Sequence, residues 1–144
     1  MPNVLFLLCA IFSLSACERN AEDVPALACG PAIQIVDVLV QREFDDFTLI
    51  SSEITGNCLT VTIGASGCDS DGWTMDLVTS GEVAESLPTQ TSARLLFDDG
   101  VDGDVTCMAY FEETYTFDLS PYLTPETLPT VLTLAGTNTE LSGK

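Results

Sequence analysis

Histidine is absent from this 144-residue chain, and lysine and arginine together number 4 against 22 acidic residues. Without imidazole there is no Ser-His-Asp triad, no Cys-His dyad, no histidine-based zinc site and no histidine proton relay. The single lysine is Lys144 and the arginines are Arg19, Arg42 and Arg94, so a buried Schiff-base lysine is not expected. The formal net charge of −18 repels nucleic acid, because holding a phosphate backbone requires Lys and Arg to replace counterions. Cations and basic proteins are the partners such a surface favours. Acid–base chemistry is left to paired carboxylates, and no spacing here sets two of them around a sugar-sized cleft. The chain reads as a non-enzyme, with a carboxylate-dependent glycan hydrolase as the catalytic alternative.

Long apolar runs are also missing. The longest, Val4–Leu14, is too short for a membrane-spanning helix, which needs about 20 residues. It suits the centre of a secretory signal, commonly about 7–15 residues, and it leads directly into Leu14-Ser15-Ala16-Cys17. That motif resembles the lipobox of bacterial lipoproteins. The resemblance implies that Cys17 carries diacylglycerol, that residues 1–16 are removed as a signal peptide, and that the chain is moored in the cell envelope. In the same family, Glu18 rather than aspartate after the lipidated cysteine implies the outer membrane. Two or more acyl chains anchor stably where one binds marginally. Residues 17–28 are polar, contain Pro25 and lack periodicity, so they read as a lipidated flexible tether.

The chain has six cysteines. Cys9 leaves with the signal and Cys17 takes the lipid, which leaves Cys29, Cys58, Cys68 and Cys107 to oxidise in an exported protein. CxxC spacing is absent, so a thiolate metal site is not expected. Cys58 and Cys68 flank the run CLTVTIGASGC. If that run is a straight strand, its ends lie roughly 30 Å apart, which forbids a Cys58–Cys68 bond. The two other pairings stay open on this argument.

Beyond the tether, apolar and polar residues alternate in short runs: 33–40, 47–51, 59–63, 73–78, 92–97, 107–119 and 131–134. Period-two runs rich in Val, Ile, Thr and aromatics read as half-buried strands. Gly, Pro, Asn and Asp clusters separate them. Seven strands at this spacing predict an all-β, two-sheet sandwich of immunoglobulin-like architecture over residues 29–137, with a small β-barrel as the alternative. Trp73, Phe97, Phe111 and Phe117 are core candidates. Glu82–Leu87 reads as one helical turn, Ser120–Leu123 as a short turn, and residues 138–144 as a frayed end.

Residues 58–119 also resemble small secreted bacterial lipoproteins of unknown function. The resemblance is carried by Asn57-Cys58, Gly67-Cys68, a Leu-Pro turn, the acidic segment Asp104-Val105-Thr106-Cys107-Met108-Ala109, and Phe117-Asp118-Leu119-Ser120-Pro121. It implies a bridge between Cys68 and Cys107, which leaves Cys29 with Cys58; the matching acidic motifs around Cys68 and Cys107 favour the same choice. Those relatives carry histidine near the positions of Asp71 and Asp98, and this chain departs from them there.

Two acidic motifs remain, GCDSDGW at 67–73 and DDGVDGDVTC at 98–107. A Cys68–Cys107 bond, with Cα atoms about 5.5–6 Å apart, would bring Asp69 and Asp71 to Asp102 and Asp104, with Asp98 and Asp99 close by. Like charges a few ångströms apart repel by about 1 kcal/mol per pair even in water. Calcium relieves such repulsion and takes 6–8 oxygen ligands from flexible loops. An EF-hand register fails, because Gly100 and Ala109 stand where ligands are required. The simpler reading is that the Asp-Gly pairs build turns and point their charges at solvent. The functional expectation is therefore a membrane-anchored sandwich with a non-catalytic binding or structural role, an envelope protein or cation being the partner it would bind. A calcium-dependent module using loops 69–72 and 98–104 is the alternative.

Overall fold

The computed structural model describes residues 29–37, 44–103, 107–137 and 139–143. Cys17, the signal, the tether and Asp104 lie outside them. The described residues form strands β1 (Gln34–Ile35), β2 (Thr48–Thr55), β3 (Cys58–Gly67), β4 (Thr74–Thr79), β5 (Val83–Ala84), β6 (Thr89–Asp98), β7 (Ala109–Asp118), β8 (Thr130–Leu134) and β9 (Thr139–Gly143). They assemble into two sheets. The smaller has the order β2-β3-β7, and the larger runs β1-β4-β6-β8-β9 with β5 also on β6.

Alternation fixes which side of each strand is covered. Along β3, Leu59, Val61 and Ile63 are fully buried and Ala65 nearly so, while Thr60, Thr62 and Ser66 face out. Facing them from the larger sheet are Met75 and Leu77 of β4, Ala93, Leu95 and Phe97 of β6, and Leu132 and Leu134 of β8. Each such aliphatic side chain contributes about 1.5–3 kcal/mol when taken fully out of water. Three threonines, Thr79, Thr91 and Thr130, are also buried. Each has a partner: Thr79 donates to the Ser92 carbonyl (2.7 Å), the Thr91 and Thr130 hydroxyls bond each other (3.1 Å), and Thr130 also donates to the Thr89 carbonyl (3.1 Å).

Two disulfides hold the smaller sheet at either end of β3. Cys29 joins Cys58, with Cα atoms 5.2 Å apart, and Cys68 joins Cys107, at 4.9 Å. Cys58 opens β3 and Cys68 follows its last residue, so the bridges stand about 33 Å apart along the strand. From Cys29 the chain runs past the end of β7, where Ala32 bridges Asp118, and then crosses to the larger sheet as β1, parallel to β4.

The two-sheet sandwich is the expected architecture, but nine strands form among the described residues where seven were expected. Val83–Ala84, expected as part of a helical turn, is instead β5, because pairing with Thr91 and Gln90 of β6 outweighs local propensity. Residues 139–143, expected to fray, form β9 along the whole of β8. Gly143 is buried there against Thr130, Leu128 and Leu123. The run expected over 33–40 is a strand only at 34–35, and residues 38–40 lie outside the described set. β6 and β8 pair parallel, which local alternation does not reveal.

Candidate functional site: the acidic end

At the far end of β3 the chain turns through Asp69–Gly72. The Asp69 carboxylate accepts the Asp71 backbone N–H (3.2 Å), and the Trp73 N–H donates to the Ser70 carbonyl (3.2 Å). Trp73 then buries its indole edge-on against Phe97 and Phe111, with ring centroids 5.1 and 6.2 Å away. The Ser70 hydroxyl reaches across to donate to Glu113 of β7 (2.6 Å). This turn is thus fastened by an aromatic plug beneath and a hydrogen bond to the neighbouring strand.

The second loop leaves β6 at Asp98. The Asp98 carboxylate accepts the Gly100 N–H (2.8 Å), and Asp99 accepts the Val101 N–H (2.9 Å). Both are side-chain-closed turns of the kind short acidic residues favour. Gly100 has φ +72°, and a Cβ there would strike the Gly72 carbonyl. Glycine is needed at 100 both for the left-handed backbone and for the close approach of the two loops. The two acidic motifs therefore do meet.

Their carboxylates are arranged differently from the expected calcium set. Among the described residues, Asp45, Asp98 and Asp99 each offer an oxygen within 4.8 Å of the others. Asp98 belongs to the set expected from sequence; Asp69, Asp71 and Asp102 stand outside this group. Asp45 is the residue that sequence reasoning missed. It lies between Phe44 and Phe47 with no local motif, and only folding brings it in: Asp45 Oδ2 accepts the Asp99 N–H (2.9 Å), and the Asp45 N–H donates to the Phe97 carbonyl (3.2 Å). Each of the three carboxylates thus accepts one backbone N–H, which offsets part of their mutual repulsion.

The segment 44–47 also borders two open clefts. One, of about 330 Å³, lies between Phe44–Phe47, Leu49, Arg94 and the 135–137 turn. The other, of about 380 Å³, is lined by Asp45, Asp46, Thr48, Gly64, Ser66, Asp99 and Tyr110. Gly64 has the Tyr110 side chain laid across it, where a Cβ would collide with the phenol ring. A large aromatic diagonally covering a strand glycine restores packing that the missing side chain removes.

Elsewhere the Asp118 carboxyl and the Tyr115 phenol are shifted by their surroundings. The Ser120 hydroxyl and backbone N–H both donate to Asp118, holding its carboxyl below the ordinary range. Burial, with a smaller effect from the nearby Glu113 charge, pushes the Tyr115 phenol up. No helix among the described residues is long and apolar enough to cross a membrane.

No protein-family model matches the chain, and no curated protein matches it. Among solved structures the fold is similar to a NigD-like immunity protein from Bacteroides caccae. The TM-score is 0.50 at 12% identity, over 81% of this chain and 59% of that one. At that identity the likeness shows the fold alone, and this chain spans about three fifths of the neighbour's length.

Proposed function

We propose that this protein is an exported lipoprotein, moored through Cys17 to the outer membrane of a bacterial envelope, whose sandwich binds a cationic partner without catalysing a reaction. The observation that carries this reading is the placement of the two disulfides. Cys29 receives the chain from the tether at one end of β3, and both acidic loops stand at the other end beside Cys68–Cys107. A domain held at one end presents its most anionic loops away from the attachment point, where basic proteins arrive. With a formal charge of −18, association is steered towards such partners and is weakened by salt. An immunity role, the class named for the fold neighbour, would be one instance of such binding.

The test is to isolate the native protein from envelopes at low salt and identify what is retained. Under this reading its mass includes acyl chains on Cys17, and a basic protein co-purifies and is released by salt. A non-acylated chain still carrying residues 1–16, with nothing retained, overturns it.

Calcium binding is the second reading, favoured by the Asp45–Asp98–Asp99 group. In this form Asp98 keeps the role expected for it and Asp45 and Asp99 join it, while Asp69, Asp71 and Asp102 stand outside the group and Asp104 lies outside the described residues. Titration with calcium should then raise the melting temperature to saturation, and Asp45→Asn together with Asp98→Asn should abolish the rise. No shift at millimolar calcium sinks this reading and leaves the first intact.

A further inference from the structure

Among the described residues β7 is an edge strand, with ten residues in unbroken register against β3, from Gly67↔Ala109 to Cys58↔Asp118. In an antiparallel pair the backbone groups of successive residues point alternately to the partner and away. The Leu119 N–H donates to Asn57, whereas the Asp118 N–H and carbonyl bond Pro31 and Ile33 on the opposite side. Even-numbered residues of β7 therefore aim their N–H and C=O groups away from β3. Near the strand's end these groups are covered: Asp118 is bonded, and Gly30 lies on the Thr116 carbonyl. Among the described residues, Tyr110, Glu112 and Thr114 have no backbone partner on that edge.

The other edges are blunted in ways β7 is not. β1 has two residues and β9 five, and β2 carries an irregularity between Leu49 and Ser51. Short or bulged strands are how sheets avoid unwanted pairing. The interior side of β7 is incompletely covered as well. Phe111, Glu113 and Tyr115 are half-buried, while their β3 neighbours Ala65, Ile63 and Val61 are buried. The smaller sheet is one strand too narrow to cover them.

We propose that the Ala109–Tyr115 edge of β7 accepts an extended basic segment of another protein as a fourth strand of the smaller sheet. This rests on the binding role proposed above and names its mode. Charge selects the occupant. Glu112 faces out from the strand, Glu113 is bonded to Ser70, and Ser70 stands between Asp69 and Asp71; β3 and β7 contain no lysine or arginine. A second copy of this chain, paired edge to edge, would set these acids against one another. The fitting partner alternates residues, basic beside Glu112 and apolar beside Phe111 and Tyr115, with its main chain supplying the hydrogen bonds.

The probe is a synthetic peptide of alternating lysine and valine, long enough to span Ala109–Tyr115, added to the whole domain at low salt. Amide exchange should slow at Tyr110, Glu112 and Thr114. Two peptides N-methylated on alternate residues, in opposite phase, leave the protein unaltered: one phase should lose binding at least roughly tenfold and the other retain it, since only one set of peptide amides faces β7. Thr114→Pro, which removes an outward N–H and no ladder bond to β3, should weaken binding by a similar factor, and Glu112→Lys should weaken it severalfold and reduce its salt dependence. Equal binding by both methylated peptides, or slowed exchange confined to residues 98–103, overturns the proposal. If an envelope partner is retained equally by the Thr114→Pro protein, the edge is wrong and the binding role stands. If the peptide binds β7 but envelopes yield no partner, the edge stands and the binding role fails.

Discussion

The two ends of β3 are built on opposite terms. At the Cys29–Cys58 end, Ile33, Leu59, Phe117, Leu119, Tyr122 and Leu123 are all 4% exposed or less, and the turn after β7 is closed by backbone bonds from Tyr122 and Leu123 to Leu119. At the Cys68–Cys107 end, Trp73 and Phe97 are buried, but the loop above them exposes Val101 at 56%, and Met108 stands out at 92%. Its shape comes from carboxylates accepting nearby backbone N–H groups, not from packing. One end is held by what it hides, whereas the exposed loop at the other is shaped by hydrogen bonds to its own carboxylates and to Asp45. The second kind of construction depends on the identity of a few small residues, Asp98, Asp99 and Gly100, and leaves Val101 free of packing constraints.

The largest test of this contrast is Phe117→Ala. It empties a fully buried site at the packed end and should lower stability by about 3–5 kcal/mol in denaturant unfolding. A cost under about 1 kcal/mol would show that the end is not packed as described. Next come the disulfides. They close segments of 29 and 39 residues, and chain entropy predicts about 4 kcal/mol for either, since the dependence on length is logarithmic. Cys29→Ser/Cys58→Ser and Cys68→Ser/Cys107→Ser should therefore cost alike; a large inequality would reveal that one end depends on its bridge in the native state.

A smaller effect sits between the ends. Tyr115 has its phenol pushed above the ordinary value of 10.0. A pKa raised by folding gives stability that is full below the unfolded value and declines as pH rises through the folded one. Unfolding followed above pH 10 should show that decline, and Tyr115→Phe should remove its share. The smallest effect belongs to the acidic loop. Val101→Ser should change stability by no more than about 0.5 kcal/mol, and a larger loss would mean that the loop is packed after all.

The same division governs what could be read from the residues alone. Alternation locates β3 and β6 because every second position is apolar and deeply covered, so solvent exclusion leaves its period in the sequence. β5 and β9 escape because two residues, or TELSG with one large apolar side chain, carry almost no period. Their state is decided by neighbours distant in sequence, β6 and β8. The acidic turns are legible for a related reason: Asp98 closes on Gly100 and Asp99 on Val101, within two residues. Asp45 is not, because its partner Asp99 is 54 residues away and no spacing rule spans such a gap. The nearness of the two loops follows from Gly72 against Gly100, a contact that only the assembled sheets create.

One consequence concerns mechanics. Because Cys29 is bonded to Cys58, tension on the chain ahead of Cys29 bypasses β1 and enters the middle strand of the smaller sheet through sulfur. There it acts lengthwise on a strand hydrogen-bonded on both flanks, so many bonds must slide together before any yields. Were the same force applied at β1, two residues would unzip one after the other. Breaking the bridge should convert a brittle, high-force rupture into gradual peeling.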